Sequence, residues 1–362
     1  MTRFISFGEA MLRLSPTGRL RLSQAIPGQL EVTLAGAELN VAGSLAMLGA
    51  EARYVTALPE GPLGDTVVSA LRALGIDTGH ISRVEQGRLG LVFVENGANQ
   101  RPSRVVYDRQ GSAMSLTPAA TYDWKTIFSG ADWLHVTGIT PALSECAATA
   151  TLEAVRGGQA AGLTVSCDLN FRSKLWRWDT AQSPRALASR MMCEILPHVD
   201  LLVTNEEDCG NVLDIYPEVN AEGGPLDATA YPDLARQVVE RFPNLQMVAT
   251  TLRESLSASH NNWGAMLYDA ATDRACFAPQ QEGDYRPYEI HNLVDRVGGG
   301  DAFAAGLLFG LSSVKYARPE AAVAFAAAAS CLAHSISGDI NFSSLEEIET
   351  LLSGEIAGRV VR

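Results

Sequence analysis

The segment with the clearest chemical potential is Asp295-Arg-Val-Gly-Gly-Gly-Asp301, which directly precedes an apolar, helix-like run ending at Leu311. Consecutive glycines lose much chain entropy on folding, so they are expected where positive φ or close backbone approach is needed. Free N–H groups at the start of a helix bind anions, most often phosphate. Asp is also a favoured helix cap. Asp301 is therefore either a cap or a carboxylate that acts in phosphate chemistry.

Further polar side chains follow three strand-like runs, "LTVSCDLN", "VDLLVTN" and "QMVATTL". They are Asn170 and Arg172, then 205–208 ("NEED"), then Thr251 and Arg253. In doubly wound sheets, ligands bind beyond the carboxyl ends of the strands. We therefore expect these groups to face one cleft together with Asp301.

The elements that position these residues follow an alternating pattern of short β-like and longer amphipathic runs. That order predicts an α/β fold with a doubly wound, mostly parallel sheet and helices on both faces. Residues 13–34 and 89–109 instead alternate apolar and polar residues between turns, which predicts a small β-sheet lid. The core domain would comprise 1–12, 35–88 and 110–362. Residues 217–233 are expected to form an inserted loop.

Composition excludes several classes of partner. The 362 residues carry a formal net charge of -13 and contain no basic run, which argues against nucleic-acid and anionic-membrane partners. The six cysteines are widely spaced, as expected of reduced residues. No apolar run is long enough to span a bilayer, so we expect no membrane segment and a cytoplasmic location.

Two motifs in the same order resemble those of the ribokinase-like, or PfkB, carbohydrate kinases. "DRVGGGDAFAAG" resembles their C-terminal signature, and "AGAELNVAGSLAMLGAEARYVTALPEGPLGD" resembles their N-terminal sugar-binding signature. Within that family, "NQRPSRVVYDR", "SCDLNFRSKLW" and "VATTLRESLSAS" are most similar to the members that phosphorylate 2-keto-3-deoxygluconate. The resemblance implies transfer of the γ-phosphoryl group of ATP, with Mg²⁺, to the terminal C6 hydroxyl of this sugar acid.

The resemblance also assigns roles to individual residues. Asp301 would accept the hydroxyl proton, and the N–H groups of Gly298, Gly299 and Gly300 would stabilise the transferred group. Gly299 replaces the alanine usual in the family, and Asp208 replaces the usual glutamate. The substrate would be bound by Gly36, Asn40, Tyr107, Arg109, Asn170, Arg172 and Asp301, the nucleotide by Asn205, Thr251, Arg253, Gly298 and Gly300, and the metal by Asn205 and Asp208.

The acid substrate gives Arg109 and Arg172 a shared role, because arginine forks bind carboxylates bidentately. Glu206 or Glu207 could share the metal with Asp208. From its helix-terminal position, we expect Asp301 to have a lowered pKa. The resemblance further implies a homodimer or higher homo-oligomer formed through the lid, and we place Val92 and Val94 on the face that contacts the second copy.

Three other interpretations remain. A kinase for fructose, ribose or a related keto-deoxy sugar acid would keep the same catalytic groups, although a neutral sugar would not require both arginines. A dehydrogenase would use the glycine segment as a dinucleotide site, but that motif normally follows an early strand. A non-catalytic sugar sensor would have no use for Asp301.

Overall fold

The computed structural model describes residues 2–216 and 228–354. Its strands are β1 (Arg3–Phe7), β2 (Met11–Ser15), β3 (Glu31–Ala35), β4 (Glu51–Val55), β5 (Ala57–Pro59), β6 (Ser82–Val84), β7 (Gly90–Glu95), β8 (Arg104–Asp108), β9 (Trp133–Thr137), β10 (Thr164–Asp168), β11 (Leu201–Thr204), β12 (Met247–Ser257), β13 (His260–Asp269), β14 (Arg274–Ala278), β15 (Gln280–Gln281), β16 (Asp284–Tyr285) and β17 (Tyr288–His291).

Its α-helices are α1 (Leu22–Ala25), α2 (Ala37–Met47), α3 (Pro62–Ala73), α4 (Ala113–Leu116), α5 (Trp124–Ile127), α6 (Glu145–Ala160), α7 (Pro184–Ile195), α8 (Glu206–Asp208), α9 (Tyr231–Arg241), α10 (Gly299–Ser312), α11 (Pro319–Ala333) and α12 (Leu345–Leu352). A π-helical turn, Cys209–Leu213, follows α8 directly.

The central sheet has nine strands in the order β14-β13-β12-β11-β10-β9-β1-β4, with β17 paired to β13. The strands from β4 to β12 along this order are parallel, whereas β13 runs antiparallel to β12, β14 and β17. The predicted α/β fold with a doubly wound, mostly parallel sheet is confirmed.

Helices cover both faces of this sheet because its central strands are apolar on both sides. In β1, Ile5 and Phe7 pack into one core with α6, α7 and α9, while Phe4 packs into a second core with α2, α3, α10 and α11. Strands buried on both faces are typical of parallel sheets. The interior of the sheet therefore offers little room for a polar site.

A four-stranded sheet, in the order β3-β2-β7-β8, forms the predicted lid sheet. The β2–β7 pair is parallel and the two outer pairs are antiparallel. Its strands begin at Met11, two residues before the predicted lid range of 13–34, and the division into core and lid stays a prediction.

The face assigned to Val92 and Val94 was wrong. Both side chains are buried on the inner face and line the cavity described below. The outer face of the lid sheet instead exposes Val32 by 57% and Val106 by 53%. Alternation along the strand was recognised correctly, but the sequence does not say which face meets the core.

The predicted loop at 217–233 is only partly described. Residues 217–227 lie outside the described residues, while Ala228–Ala230 form a 3-10 turn and α9 begins at Tyr231, so the last part of the prediction was wrong. All six cysteines are free thiols. Among the helices of 2–216 and 228–354, none has the length and apolar character needed to cross a membrane.

Candidate active site

A cavity of about 800 Å³ lies beyond the carboxyl ends of β9, β10 and β11, beneath the inner face of the lid sheet. It is lined by residues from all the groups that the sequence singled out, including Asn170, Asn205, Thr251 and Asp301. The cleft is therefore where the topology of a doubly wound sheet places ligands.

The surroundings of the three glycines show why this segment contains them. Gly298 has φ +82°, and a Cβ there would lie 2.1 Å from the carbonyl oxygen of Asp339. Gly299 packs against the His334 ring, whereas a Cβ on Gly300 would meet no atom within 4 Å. Gly298 and Gly300 line the cavity. The segment thus needs glycine once for conformation, and Gly300 leaves its backbone open to a ligand.

The start of α10 is suited to anion binding. The cap residue is Gly298, and the first hydrogen bond of the helix runs from Ala302 N to Gly298 O at 2.8 Å. The N–H groups of Gly299, Gly300 and Asp301 precede that bond, as at every helix start. The interpretation of Asp301 as the helix cap was wrong, because it lies in the first turn, two residues inside the helix.

Asp301 combines partial burial with one strong hydrogen bond. Asn40 Nδ2 donates to its Oδ2 at 2.7 Å. Burial raises the pKa of Asp301 to about 7, and the Asn40 bond and Arg172 oppose that rise. The expected lowering of this pKa was wrong. A carboxylate with a pKa near 7 is a stronger base than an ordinary Asp and suits the removal of a hydroxyl proton.

Two more carboxylates converge on the cavity. Burial raises the pKa of Asp168 well above its usual range, with further increases from the negative charges of Asp208 and Asp301. Burial also raises the pKa of Asp208 to about 6. The charges on Asp208 and Asp301 thus disfavour ionisation of Asp168, and a bound cation would oppose this effect.

The donor set therefore fits Mg²⁺, which prefers carboxylate oxygens and retains several of its waters. Asn205 Nδ2 donates to Asp208 Oδ2 at 3.0 Å, and Asn205 Oδ1 accepts from Asp208 N at 2.8 Å. Glu206 and Glu207 line the same wall. No group of three His, Cys, Asp or Glu in the described ranges forms a ready-made metal cage. A hydrated Mg²⁺ held by one or two carboxylates and phosphates does not need one.

The two candidate arginines lie in the same cavity but in different states. Arg109 is buried, and its Nε donates to Glu9 Oε2 at 2.6 Å, with a second contact from Nη2. Its guanidinium also lies 5.5 Å from the centre of the Tyr107 ring. Arg172 is exposed and donates to the Phe171 carbonyl at 3.0 Å. Arg172 therefore contributes more uncompensated positive charge than Arg109.

The remaining predicted substrate residues, Gly36, Asn40 and Asn170, also line the cavity. Gly36 has φ +139°, and a Cβ there would lie 2.2 Å from the Glu9 carbonyl oxygen, so this turn requires glycine. Asn40 Oδ1 is buried without a hydrogen-bond partner among residues 2–216 and 228–354. Asn170 lies in the left-handed region and donates to both oxygens of Asp168, at 3.1 and 3.2 Å. The Asn40 oxygen is therefore available to accept from a sugar hydroxyl.

Arg253 and Arg296 contribute further positive charge to the cavity lining. The strand β12 continues to Ser257, so Thr251 and Arg253 lie within it rather than past its end as predicted. They nevertheless reach the cavity, because the pairing of β12 with β11 stops at Thr250. Arg296 Nη2 donates to Asn261 Oδ1 at 3.0 Å, which holds this side chain beside the glycine segment.

Sequence reasoning missed Asp168, Glu9 and Arg296. Asp168 and Glu9 each follow an apolar strand run, which is the signal that identified Asn170, so the same criterion applied to every strand would have found them. Arg296 lies inside the quoted glycine motif. Its role depends on Asn261, a contact between distant positions that the sequence does not indicate.

One cleft of this α/β fold contains a helix N-terminus, an adjacent carboxylate base and several arginine side chains. This arrangement defines an enzyme suited to phosphoryl transfer to a hydroxyl group. The model of the pfkB family of carbohydrate kinases matches residues 1–215. The chain belongs to this family, and it is a sugar kinase of the kind that uses ATP.

Several relatives match along nearly the whole chain. The crystal structure of a 2-dehydro-3-deoxygluconokinase from Thermotoga maritima is 41% identical, covers 98% of this chain and 100% of its own, and has a TM-score of 0.87. The 2-dehydro-3-deoxygalactonokinase of Haloferax volcanii is 33% identical over 98% of both chains. A structure described as a putative 2-keto-3-deoxygluconate kinase from Enterococcus faecalis is 28% identical, covers 100% of this chain and 99% of its own, and has a TM-score of 0.85.

Proposed function

We propose that the protein transfers the γ-phosphoryl group of ATP to the C6 hydroxyl of 2-keto-3-deoxygluconate. The observation that carries this proposal is the placement of Arg109 and Arg172 in the cavity that contains Asp301. Arg109 is already paired with Glu9, but the Arg172 guanidinium would find no charged partner in a neutral sugar and a carboxylate in a sugar acid. The names of the relatives support the same class of acceptor, in both its gluco and galacto forms.

In the proposed reaction, Asp301 accepts the proton of the attacking hydroxyl late in phosphoryl transfer. The N–H groups of the Gly298–Gly300 segment stabilise the charge on the transferred group. Arg172, with Arg109 and Tyr107, orients the sugar acid, and Gly36, Asn40 and Asn170 contact its hydroxyl groups. Positioning of this kind accounts for much of the catalysis of phosphoryl transfer.

The nucleotide would lie along the wall formed by Asn205, Thr251 and Arg253. Asn205 and Asp208 would hold Mg²⁺, with Asp168 nearby, and the ion would neutralise charge on the phosphate oxygens. We further propose a cytoplasmic protein that associates through the outer face of the lid sheet, because Val32 and Val106 are exposed there. No nucleic acid or membrane takes part in this function.

The proposal is tested by assaying the purified protein with ATP and Mg²⁺ against 2-keto-3-deoxygluconate, 2-keto-3-deoxygalactonate, fructose and ribose. We expect kcat/KM to be highest for a keto-deoxy sugar acid, and phosphorus NMR of the product to place the phosphate on C6. A higher kcat/KM for fructose or ribose would contradict the proposal and favour a general sugar kinase.

Arg172→Ala tests the carboxylate contact directly. Loss of a charged hydrogen bond of about 1.5–3 kcal/mol should raise KM for the sugar acid roughly tenfold to a hundredfold, with little change in KM for ATP. Arg177→Ala is the matched control, since Arg177 is exposed in the same loop. Arg109→Ala is less informative because it leaves Glu9 buried and unpaired. An equal penalty for a neutral sugar would refute the carboxylate role.

A further inference from the structure

A buried cluster of charged side chains, Arg13, Asp295 and Asp339, connects the lid sheet to the glycine segment, and of these three only Asp339 lines the cavity. Arg13, in the middle of β2, is 2% exposed, and its two carboxylate partners, Asp295 and Asp339, are 3% and 7% exposed. Buried charges persist only where they are paired and hydrogen-bonded. The cluster therefore requires a reason beyond surface solvation.

Each of the three nitrogens of the Arg13 guanidinium donates a hydrogen bond. Nε donates to Ser15 Oγ at 2.8 Å, and Nη2 donates to Asp295 Oδ2 at 2.5 Å. Nη1 donates to Asp339 Oδ1. One planar fork thus joins two carboxylates that come from different parts of the chain, which lysine, with its compact charge, is poorly shaped to do.

Asp295 is bonded to the segment that leads into the glycines. Its Oδ1 accepts from Arg296 N at 2.8 Å and from Val297 N at 3.1 Å. Its Oδ2 accepts from Gly338 N at 3.4 Å. The carboxylate therefore fixes the path of the backbone immediately before Gly298.

Asp339 approaches the same glycine from the other side. Its carbonyl oxygen lies so close to Gly298 that a Cβ on that residue would be 2.1 Å away. Burial raises the pKa of the Asp339 carboxyl, and interactions with Arg13 and a hydrogen bond from Asn40 oppose that rise. The same Asn40 donates to Asp301. The cluster is thus connected both to the glycine segment and to the proposed base.

We propose that Arg13 is a positioning residue for phosphoryl transfer, whose guanidinium sits between Asp295 and Asp339 and holds the Gly298–Gly300 segment in place relative to Asp301. The inference rests on the proposed roles of that segment and of Asp301, and not on which sugar is the acceptor. Val297 packs against Val92 and Val94 of the lid sheet, so the same strands are attached to the glycine segment at a second point.

Loss of Arg13 is expected to raise the free energy of the transition state rather than weaken substrate binding. Without the guanidinium, two buried carboxylates lose their shared cation, and the backbone on both sides of Gly298 loses its anchor. A displacement of about 1 Å between reacting groups reduces turnover by roughly a hundredfold without removing any ligand contact. We therefore expect kcat to fall while KM for both substrates changes little.

The test compares Arg13→Lys and Arg13→Ala with wild type, using whichever acceptor the wild-type enzyme phosphorylates best. Arg104→Ala is the matched control, because Arg104 belongs to β8 of the same sheet and is exposed. For soluble Arg13→Lys we expect kcat to fall at least about tenfold, with KM for ATP and for sugar within about threefold of wild type. Millimolar guanidinium should raise kcat of Arg13→Ala and leave wild type and Arg104→Ala unchanged.

A smaller loss of kcat in Arg13→Lys overturns the proposal, as does a rise in KM alone or the absence of guanidinium rescue in soluble Arg13→Ala. If Arg13→Ala is insoluble, Arg13→Lys decides the question by itself. Asp301→Asn is assayed in parallel. Normal turnover by that variant would refute the proposed base and leave the measurement on Arg13 to be interpreted separately.

Discussion

Asp301→Asn separates the catalytic role of this residue from any structural one. Asn has nearly the same shape, and its side-chain oxygen can still accept the hydrogen bond from Asn40, so the fold should be retained. Asn cannot take a proton from the sugar hydroxyl. Removal of a general base reduces turnover roughly 10²- to 10⁴-fold. We expect a kcat loss in that range with ATP and sugar binding largely retained.

The same substitution should stabilise the protein at alkaline pH. Burial raises the pKa of Asp301 from 3.8 to about 7. Between these values the unfolded chain has lost its proton while the folded chain keeps it, so the stability of the wild type falls as pH rises. About three pKa units at 1.36 kcal/mol each amount to roughly 4 kcal/mol in all. Part of this is already lost at pH 5, which leaves about 3 kcal/mol between pH 5 and 8.5.

The measurement is the free energy of unfolding of both proteins at pH 5 and 8.5 by denaturant titration. The advantage of Asp301→Asn over wild type should grow by about 3 kcal/mol over this interval. Asp65→Asn is a suitable control, since Asp65 also lies in the first turn of a helix, α3, but its side chain is 67% exposed. Parallel pH profiles would show that Asp301 does not carry the raised pKa, and a kcat within tenfold of wild type would refute its role as base.

Three further outcomes follow from named contacts. Gly298→Ala should lower the free energy of unfolding by about 2 kcal/mol or more, because φ is positive and the Asp339 carbonyl oxygen occupies the space that a Cβ needs. Gly300→Ala should change the free energy of unfolding by less than about 1 kcal/mol, because a Cβ there meets no other atom. Equal denaturation midpoints for the two variants would contradict this. The Mg²⁺ concentration that gives half-maximal rate should rise about tenfold from pH 7 to pH 5, because Asp208 has a pKa of about 6 and binds the ion only when ionised. In Asp208→Asn, the Mg²⁺ requirement should no longer depend on pH in this range. Val106→Asp should reduce the mass in solution to that of a monomer without changing KM, and retention of the oligomer would rule out this face.

The sequence predicts those features that depend on local pattern. Alternating strand and helix runs suffice for the doubly wound sheet, and the rule that ligands bind past strand ends places Asn170, Arg172 and Asn205 in one cavity. Gly298 is likewise identified from its neighbours as a position that needs unusual backbone freedom. Each of these inferences combines short local runs of residues with a general rule of fold topology.

Features that depend on tertiary contacts could not be predicted from the sequence. The inner face of the lid sheet, the Glu9–Arg109 ion pair and the Arg13 cluster join positions that are far apart in the chain. A strand with apolar residues on both faces does not indicate which face is covered. The sequence also does not distinguish an arginine that forms an internal ion pair from one that binds a ligand. Arg109 was therefore placed correctly in the cavity without its buried partner.

The pKa of Asp301 shows why the local argument gave the wrong sign. A helix N-terminus stabilises a nearby carboxylate by about 0.3–1 kcal/mol, which is less than one pKa unit. Burial acts in the opposite direction and is larger, since the net result is a pKa raised to about 7. That burial comes from the surrounding tertiary structure, and neighbouring charges on Asp339 and Glu38 raise the pKa further. The same surroundings that destabilise the ionised carboxylate make it a better proton acceptor, so the stability lost at neutral pH and the base strength needed for catalysis have one physical origin.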